Sequence, residues 1–283
     1  MIRLHAAGTG RPSRHLRLLA DATRWLAGIS TIEVVLPTTN GELYFRCANA
    51  LTLRRAYSLY LKEAGTIAWL NGVLGPGDIF LDIGANVGIY SLYAAQRIGQ
   101  RGHVYAVEPH LRNAVSLIDN IAANGFADRV TVLTCALAER ARSARFHYEE
   151  WLPGSSRSQL ADTLSEHTNA KSRSGGISEL KVAQSVDSLV AQGAIRSPNA
   201  VKIDVDGIEP LILAGMQTTL TSAGRPRTLQ VECTPSNASE IEAFLLECGY
   251  VLKERHATLS GERRLAAGQQ MLEIVHNAVF IPA

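Results

Sequence analysis

The chain is short of cysteine, of charge of either sign in excess, and of long apolar runs. Its four cysteines (Cys47, Cys135, Cys233, Cys248) lie far apart, with no CxxC and no Cys/His cluster. That spacing excludes a zinc ribbon and a disulfide framework and points to reduced thiols in a cytoplasmic setting. Lys and Arg number 28 against 26 Asp and Glu, a net charge of +2, so the basic footprint of a nucleic-acid binder is missing. No apolar run approaches the ~18 residues of a membrane span. The early arginines are not followed by an apolar segment with a cleavage site, so no secretory signal is read. Apolar residues are not scarce: at 46% of 283 they can build a large core without staples and exclude global disorder.

What is present is an alternation. Residues 15–27 place Leu18, Ala22, Trp25 and Leu26 on one helical side. Asn40-Gly41 between β-rich runs at 32–36 and 43–46 reads as a hairpin. Residues 53–74 are helical, with Gly65 the expected break. Beyond Gly75-Pro76-Gly77-Asp78, strands are expected at 79–83, 103–107, 130–137, 200–205 and 228–232. Helices are expected at 89–98, 111–124, 210–223 and 238–248, and an antiparallel pair at 250–254 and 276–281. Such alternation predicts an α/β fold with a mostly parallel sheet covered on both faces. The polar stretch near 153–176 breaks the pattern and reads either as a binding lid or as a disordered, flexible insertion. It and the N-terminal helices are assigned to acceptor recognition.

The strongest local signal is Phe80-Leu-Asp-Ile-Gly-Ala-Asn-Val-Gly-Ile-Tyr-Ser91, where the first of these strands hands over to a helix. Gly84 permits a tight turn and close approach of a ligand, and Gly88 close helix–strand packing. Asn86 stands where a dinucleotide fingerprint has its middle glycine, so pyrophosphate fits poorly. Asp82 suits an α-amino group or a ribose hydroxyl, and the inferred ligand is S-adenosylmethionine. Val107-Glu108-Pro109 ends the next strand, with Glu108 placed to grip the ribose. Ala136 and Leu137 would then lie beside the adenine. In Val201-Lys-Ile-Asp-Val-Asp-Gly-Ile-Glu209, buried charges alternate along a strand, so they must pair or face a cleft. Asp204 and Asp206, then His110, are the candidate general bases; Asp204 is also a candidate cofactor contact. A divalent cation shared with Glu232 stays open, and no metal ligand is assigned.

These blocks resemble the FkbM-type family of S-adenosylmethionine-dependent methyltransferases. The resemblance runs through Lys62-Glu63-Ala-Gly-Thr66, residues 81–91, Val107-Glu-Pro109 with Asn113, Leu117, Asn120 and Asn124, Ser185-Val-Asp-Ser-Leu189, residues 201–209, and Pro226-Arg-Thr-Leu-Gln-Val-Glu232. Asp206 stands where the family more often has Glu. The resemblance implies a Rossmann-like class I methyltransferase domain over 61–283, with a seven-stranded sheet. It implies O-methylation of a sugar or secondary metabolite, and adds Glu63, Ala85, Tyr90 and Ser91 to the cofactor residues. Residues 1–60 form an N-terminal extension with no motif, packing on the domain or on a second subunit as a homodimer. A nicotinamide-dependent oxidoreductase and a non-catalytic interaction module are the competing readings.

Overall fold

The structure, a computed structural model, describes residues 2–5, 32–60, 64–161 and 176–283. The helix expected over 15–27, with Trp25, and the cofactor candidate Glu63 lie outside the described residues. Strand β1 (Ile2–His5) runs parallel to β2 (Ile32–Thr38), which forms the expected hairpin with β3 (Gly41–Cys47). Helix α1 (Ala50–Tyr57) starts at a reciprocal cap: Asn49 accepts the Thr52 N–H while Thr52 accepts the Asn49 N–H, which satisfies two N–H groups that helix geometry orphans. Helix α2 (Ala64–Val73) contains Gly65, so the expected break falls earlier. The reason is packing: a Cβ on Gly65 would lie 2.4 Å from the His256 ring.

The main sheet follows. Strand β4 (Ile79–Ile83), α3 (Ile89–Ile98), β5 (His103–Val107), α4 (Leu111–Asn124) and β6 (Val130–Leu133) build one half. The strand expected over 130–137 is split: β7 (Ala136–Leu137) leaves the main sheet and joins β8 (Arg142–His147), β9 (Gln159–Leu160) and β10 (Ser178–Gln184) in a second, four-stranded sheet. After α5 (Val186–Ala191), strand β11 (Ala200–Ile203) returns beside β4. The single helix expected over 210–223 is two short ones, α6 (Glu209–Ala214) and α7 (Gln217–Thr221). Between them Gly215 approaches so closely that a Cβ would sit 2.3 Å from the Ala138 carbonyl oxygen. Strand β12 (Thr228–Cys233), α8 (Ala238–Glu247), β13 (Tyr250–Ala257), the unanticipated α9 (Leu259–Ala266) and β14 (His276–Pro282) complete the chain.

The seven-stranded order is β13-β14-β12-β11-β4-β5-β6, with β14 antiparallel to both neighbours. From β4 the chain first steps outward to β5 and β6, then returns to β11 on the other side. Ligands bind at such a switch point in open α/β sheets. The period-2 alternation of strands sorts side chains between two cores. Phe80 and Ala200 face the layer that holds α1 to α4 and the hairpin, whereas Leu81, Ile83, Val201 and Ile203 face the layer of α5 to α8. The first of these cores is continuous across residue 60, running from Ile32 and Leu59 to Leu92 and Leu117.

Asparagines dock the hairpin. Asn120 Oδ1 accepts the Arg46 N–H and its Nδ2 donates to the Val87 carbonyl, while Asn124 bonds both the N–H and the carbonyl of Tyr44. Asn120→Ala leaves a buried N–H and a carbonyl without partners and should cost about 2–4 kcal/mol of unfolding free energy in urea titration. A cost under half of that would show the hairpin to be loosely docked.

Candidate active site

The glycine loop, the tips of β5 and β11, and residues 153–158 enclose one open cleft of about 670 Å3. Its lining includes Gly84, Asn86, Glu108, Pro109, Ser155, Asp204 and Asp206. Gly84 is obligatory: its φ is +84° and a Cβ there would lie 1.9 Å from the Asp204 carbonyl oxygen, a close approach across the switch point that no other residue allows. Gly88 is needed too, with φ +90°. Its close neighbour is Leu117 of α4, at 2.3 Å from a built Cβ, and not the strand expected from the sequence.

Glu108 holds the cleft together. Oε2 accepts the Asn86 N–H at 2.7 Å, and Oε1 accepts the His110 N–H at 2.8 Å and Asn113 Nδ2 at 3.4 Å. Burial pushes its carboxyl up to about 7 against the lowering pull of these donors and of Arg55. Asn86 takes the left-handed φ +52°. Its Oδ1 accepts the Val87 N–H, and its Nδ2 donates to the Ser155 carbonyl. An asparagine thus closes, with its side chain, the place where a pyrophosphate site keeps a glycine.

Asp82 does not reach the cleft. It shares the strand face of Phe80, lies 1% exposed under α3, and accepts the Ser91 hydroxyl at 2.5 Å. The expectation that Asp82 and Ser91 touch a ligand gives way to a buried pair that fixes the start of α3. The register sets Lys202 directly beside Asp82. Lys202, also 1% exposed, sends its Nζ to Asp204 Oδ2 at 2.7 Å and lies 5.0 Å from the centre of the Tyr90 ring. The charges of residues 201–206 therefore both pair and face the cleft. Glu209 shapes their turn by accepting the N–H groups of Val205 and Gly207 while Asn237 donates to its other oxygen.

His110 is the N-cap of α4. Its Nδ1 accepts the Asn113 N–H and its Nε2 faces the Glu150 carbonyl at 2.9 Å and the Ser155 hydroxyl at 3.0 Å. Nδ1 as acceptor assigns the proton to Nε2, and burial keeps the ring neutral. With both nitrogens committed, and the ring packed against Tyr148 and Trp151, His110 has no lone pair for a substrate proton.

Residues 153–158, the start of the polar stretch near 153–176, form a strap across the cleft. Asn113 bonds the Gly154 N–H and the Ser155 carbonyl, Asn49 Nδ2 the Pro153 carbonyl, Arg55 Nε the Gly154 carbonyl, and the Arg157 N–H meets Asp206 Oδ2 at 2.7 Å. Arg157 and Asp206 both carry positive φ, +65° and +62°. Two smaller hollows open off Gly84. One, of about 370 Å3, is apolar and lined by Pro109, Ala136, Leu137, Phe146 and Leu160. The other, of about 360 Å3, is lined by Arg55, Ser58, Ala85, Tyr90, Lys202 and Asp204. Arg55 and Ser58 come from the α1 region, where the sequence offers no motif. On the far side of Asp206 lies a wider cleft of about 1220 Å3 of mixed lining, with Arg157, Glu232, Thr258 and Arg263 beside Leu259 and Val275. Among the described residues no group of three or more His, Cys, Asp or Glu could hold a metal ion, and no helix is long and apolar enough to cross a membrane.

A seven-stranded sheet with a glycine loop at its switch point is the class I methyltransferase-like fold. The chain matches the model of the methyltransferase FkbM domain over residues 82–252, and it belongs to this family of S-adenosylmethionine-dependent methyltransferases. The crystal structure of methyltransferase FkbM from Methylobacillus flagellatus KT is similar in fold, with a TM-score of 0.51 at 17% identity over 82% of this chain and 51% of that one. Protein arginine N-methyltransferase 1.1 of Arabidopsis thaliana is 32% identical over 124 residues, 42% of this chain and 31% of that protein. Ribosomal RNA large subunit methyltransferase E of Wigglesworthia glossinidia brevipalpis is 34% identical over 62 residues, 22% and 30%. The chain spans about a third of the length of these curated relatives.

Glu108 yields a pH prediction. Its folded value near 7 exceeds the ~4.3 of an unfolded glutamate, so folding favours the protonated acid. Its contribution is unfavourable above pH 7 and fades as pH falls toward about 4.3. The stability difference between the wild type and Glu108→Gln should change by on the order of 3 kcal/mol between pH 4.5 and 8 in urea unfolding. A constant difference across that range would refute the shift.

Proposed function

We propose that the protein transfers a methyl group from S-adenosylmethionine to a hydroxyl of a small acceptor, a sugar or a natural product. One observation carries the donor half. Three spaces of different chemistry meet at Gly84: an apolar slot, a cleft walled by a buried carboxylate, and a hollow with charged walls. Adenine, ribose and an amino-acid end require those surroundings in that order. Ala136, Leu137 and Pro109 would flank the adenine. Glu108 would hold the ribose hydroxyls on lone pairs left over from its amide bonds. The Gly84-Ala85-Asn86 backbone, Tyr90 and Asp204 would meet the amino-acid end. The division into an N-terminal extension (1–60) and a donor-binding domain (61–283) is kept, with the extension adding Arg55 and Ser58 to the wall.

When bound, the donor supplies an electrophilic methyl group on a sulfonium. The chain's part is to align the acceptor oxygen with it and exclude water. Asp206 is the favoured base. It stands where the donor cleft opens into the wider cleft beyond. Its Oδ2 accepts the Arg157 N–H, and its Oδ1 has no partner among the described residues. Asp204, bonded to Lys202, is better suited to the donor's ammonium. The cleft beyond Asp206 sets hydrogen-bonding groups of both kinds beside the apolar Leu259 and Val275, which supports an acceptor with hydroxyls on a partly apolar frame. The named acceptors of the two partial relatives, arginine and ribosomal RNA, differ from each other, so those matches bear on the donor half alone.

Calorimetry on ligand-stripped protein should show binding of S-adenosylmethionine and S-adenosylhomocysteine, tightening about tenfold from pH 6 to 8 as Glu108 ionises. The absence of heat with both removes this reading. Against a panel of sugar and polyketide hydroxyls, Asp206→Asn should lower turnover about 10²–10⁴-fold with S-adenosylhomocysteine affinity unchanged. Near wild-type turnover in that variant would exclude Asp206 as the base.

A further inference from the structure

The hollow beside Gly84 has a feature that the methyl-transfer reading does not itself require. Its walls carry two cations and one anion, Arg55, Lys202 and Asp204. Lys202 is committed, with Nζ 2.7 Å from Asp204 Oδ2 and the Tyr90 ring beneath it. Arg55 is not. Its Nε donates to the Gly154 carbonyl at 3.2 Å, and its two terminal nitrogens have no hydrogen-bond partner among the described residues. The guanidinium is half-buried, lines both the hollow and the main cleft, and is close enough to Glu108 to lower its proton affinity.

We propose that Arg55, carried by α1, is the carboxylate-binding residue for the amino-acid end of the donor, and that this hollow is a zwitterion site with Arg55 on one side and Asp204 on the other. The proposal rests on the donor reading above and adds a residue outside the 82–252 match. The chemistry is complementary. An α-amino acid head presents a carboxylate and an ammonium a few bonds apart. A guanidinium offers paired N–H donors in the fork geometry that a carboxylate accepts. The hollow also opens onto the first residues of the ten-residue α3, Ile89 and Tyr90, and the positive end of a helix favours an anion there. Arg157, the other arginine on the main cleft, also lines the wider cleft beyond Asp206.

Arg55 is held for this task. Asn49 and Thr52 cap the start of its helix, and Ser58 closes the other end by donating its hydroxyl to the Arg55 carbonyl. The Nε bond to Gly154 fixes the stem and leaves the fork directed to the hollow. The alternative is a purely structural role, in which this bond to the Gly154 carbonyl anchors the strap and nothing more. Two ligands separate the roles. S-adenosylhomocysteine carries the amino-acid head; 5′-methylthioadenosine keeps the adenosine and the sulfur and lacks the head.

Arg55→Gln keeps an N–H for the Gly154 carbonyl and loses the charge. Calorimetry on the full chain should show its affinity for S-adenosylhomocysteine falling about 10–100-fold, the cost of a charge-assisted pair. Its affinity for 5′-methylthioadenosine should stay within about twofold on the same grounds. Arg55→Lys, which keeps the charge without the fork, should recover part of the loss and serves as the measurement if the glutamine variant is unstable. Equal losses for both ligands, or no loss for either, overturn the proposal. Wild-type protein that binds neither ligand overturns the donor reading, a different result from wild-type binding that is indifferent to Arg55.

Discussion

Glu108, at the tip of β5, ties the glycine loop to the start of α4. A carboxylate that is 5% exposed is costly unless its lone pairs find donors. Here the donors are the amides of Asn86 and His110 and the Asn113 side chain. The first belongs to the glycine loop, the others to the start of α4. Asn86 and Asn113 in turn both donate to the Ser155 carbonyl, so the strap hangs from the residues that satisfy the acid. The cleft has its shape because this one group must be paid in hydrogen bonds. The same bonds explain why burial raises the Glu108 pKa without abolishing its ionisation near neutrality.

A second constraint acts from the strands. On β4 and β11, alternate side chains go to opposite layers, and Asp82 and Lys202 fall on the same face in register. Acid and base are buried side by side, beneath α3 and Tyr90. Only where β11 ends, at Ile203, can the next charges turn outward. Asp204 stays bonded to Lys202, while Asp206, in a left-handed turn braced by Glu209, faces the open side. Two aspartates two residues apart thus stand in different surroundings, one bonded to Lys202 and one facing the open side.

Much of this was legible in the sequence. Strands 79–83 and 103–107 and the helix 111–124 with its Gly125 stop are set by local pattern and turn chemistry, and the structure has them at those bounds. The glycine loop, Glu108 and the 201–209 motif were visible because backbone geometry and buried charge restrict which residues can stand there. What local pattern could not reveal was direction and partnership. Asp82 reads as a strand-tip acid, yet the pleat turns it under α3. His110 reads as a free imidazole beside the cleft, yet Asn113 makes it a cap. The strap is polar by composition, and it packs because asparagines distant in sequence supply its hydrogen bonds. Those bonds are non-local, and composition does not register them.

The same non-locality governs the N-terminal segment. Arg55 and Ser58 line the hollow beside Gly84, and two side chains at the end of a short helix have no sequence signature. The structure nevertheless ties that helix to the cleft from both directions. From one side, Asn120 and Asn124 of α4 grip β3; from the other, Asn49 and Arg55 hold the carbonyls of Pro153 and Gly154. Helix α4 begins at the acid that organises the cleft and ends at the hairpin that carries α1. The hairpin, the strap and the cleft are thus bonded to one another through α4 and α1. A boundary drawn at residue 60 separates sequence patterns, but the first hydrophobic core and these hydrogen bonds run across it.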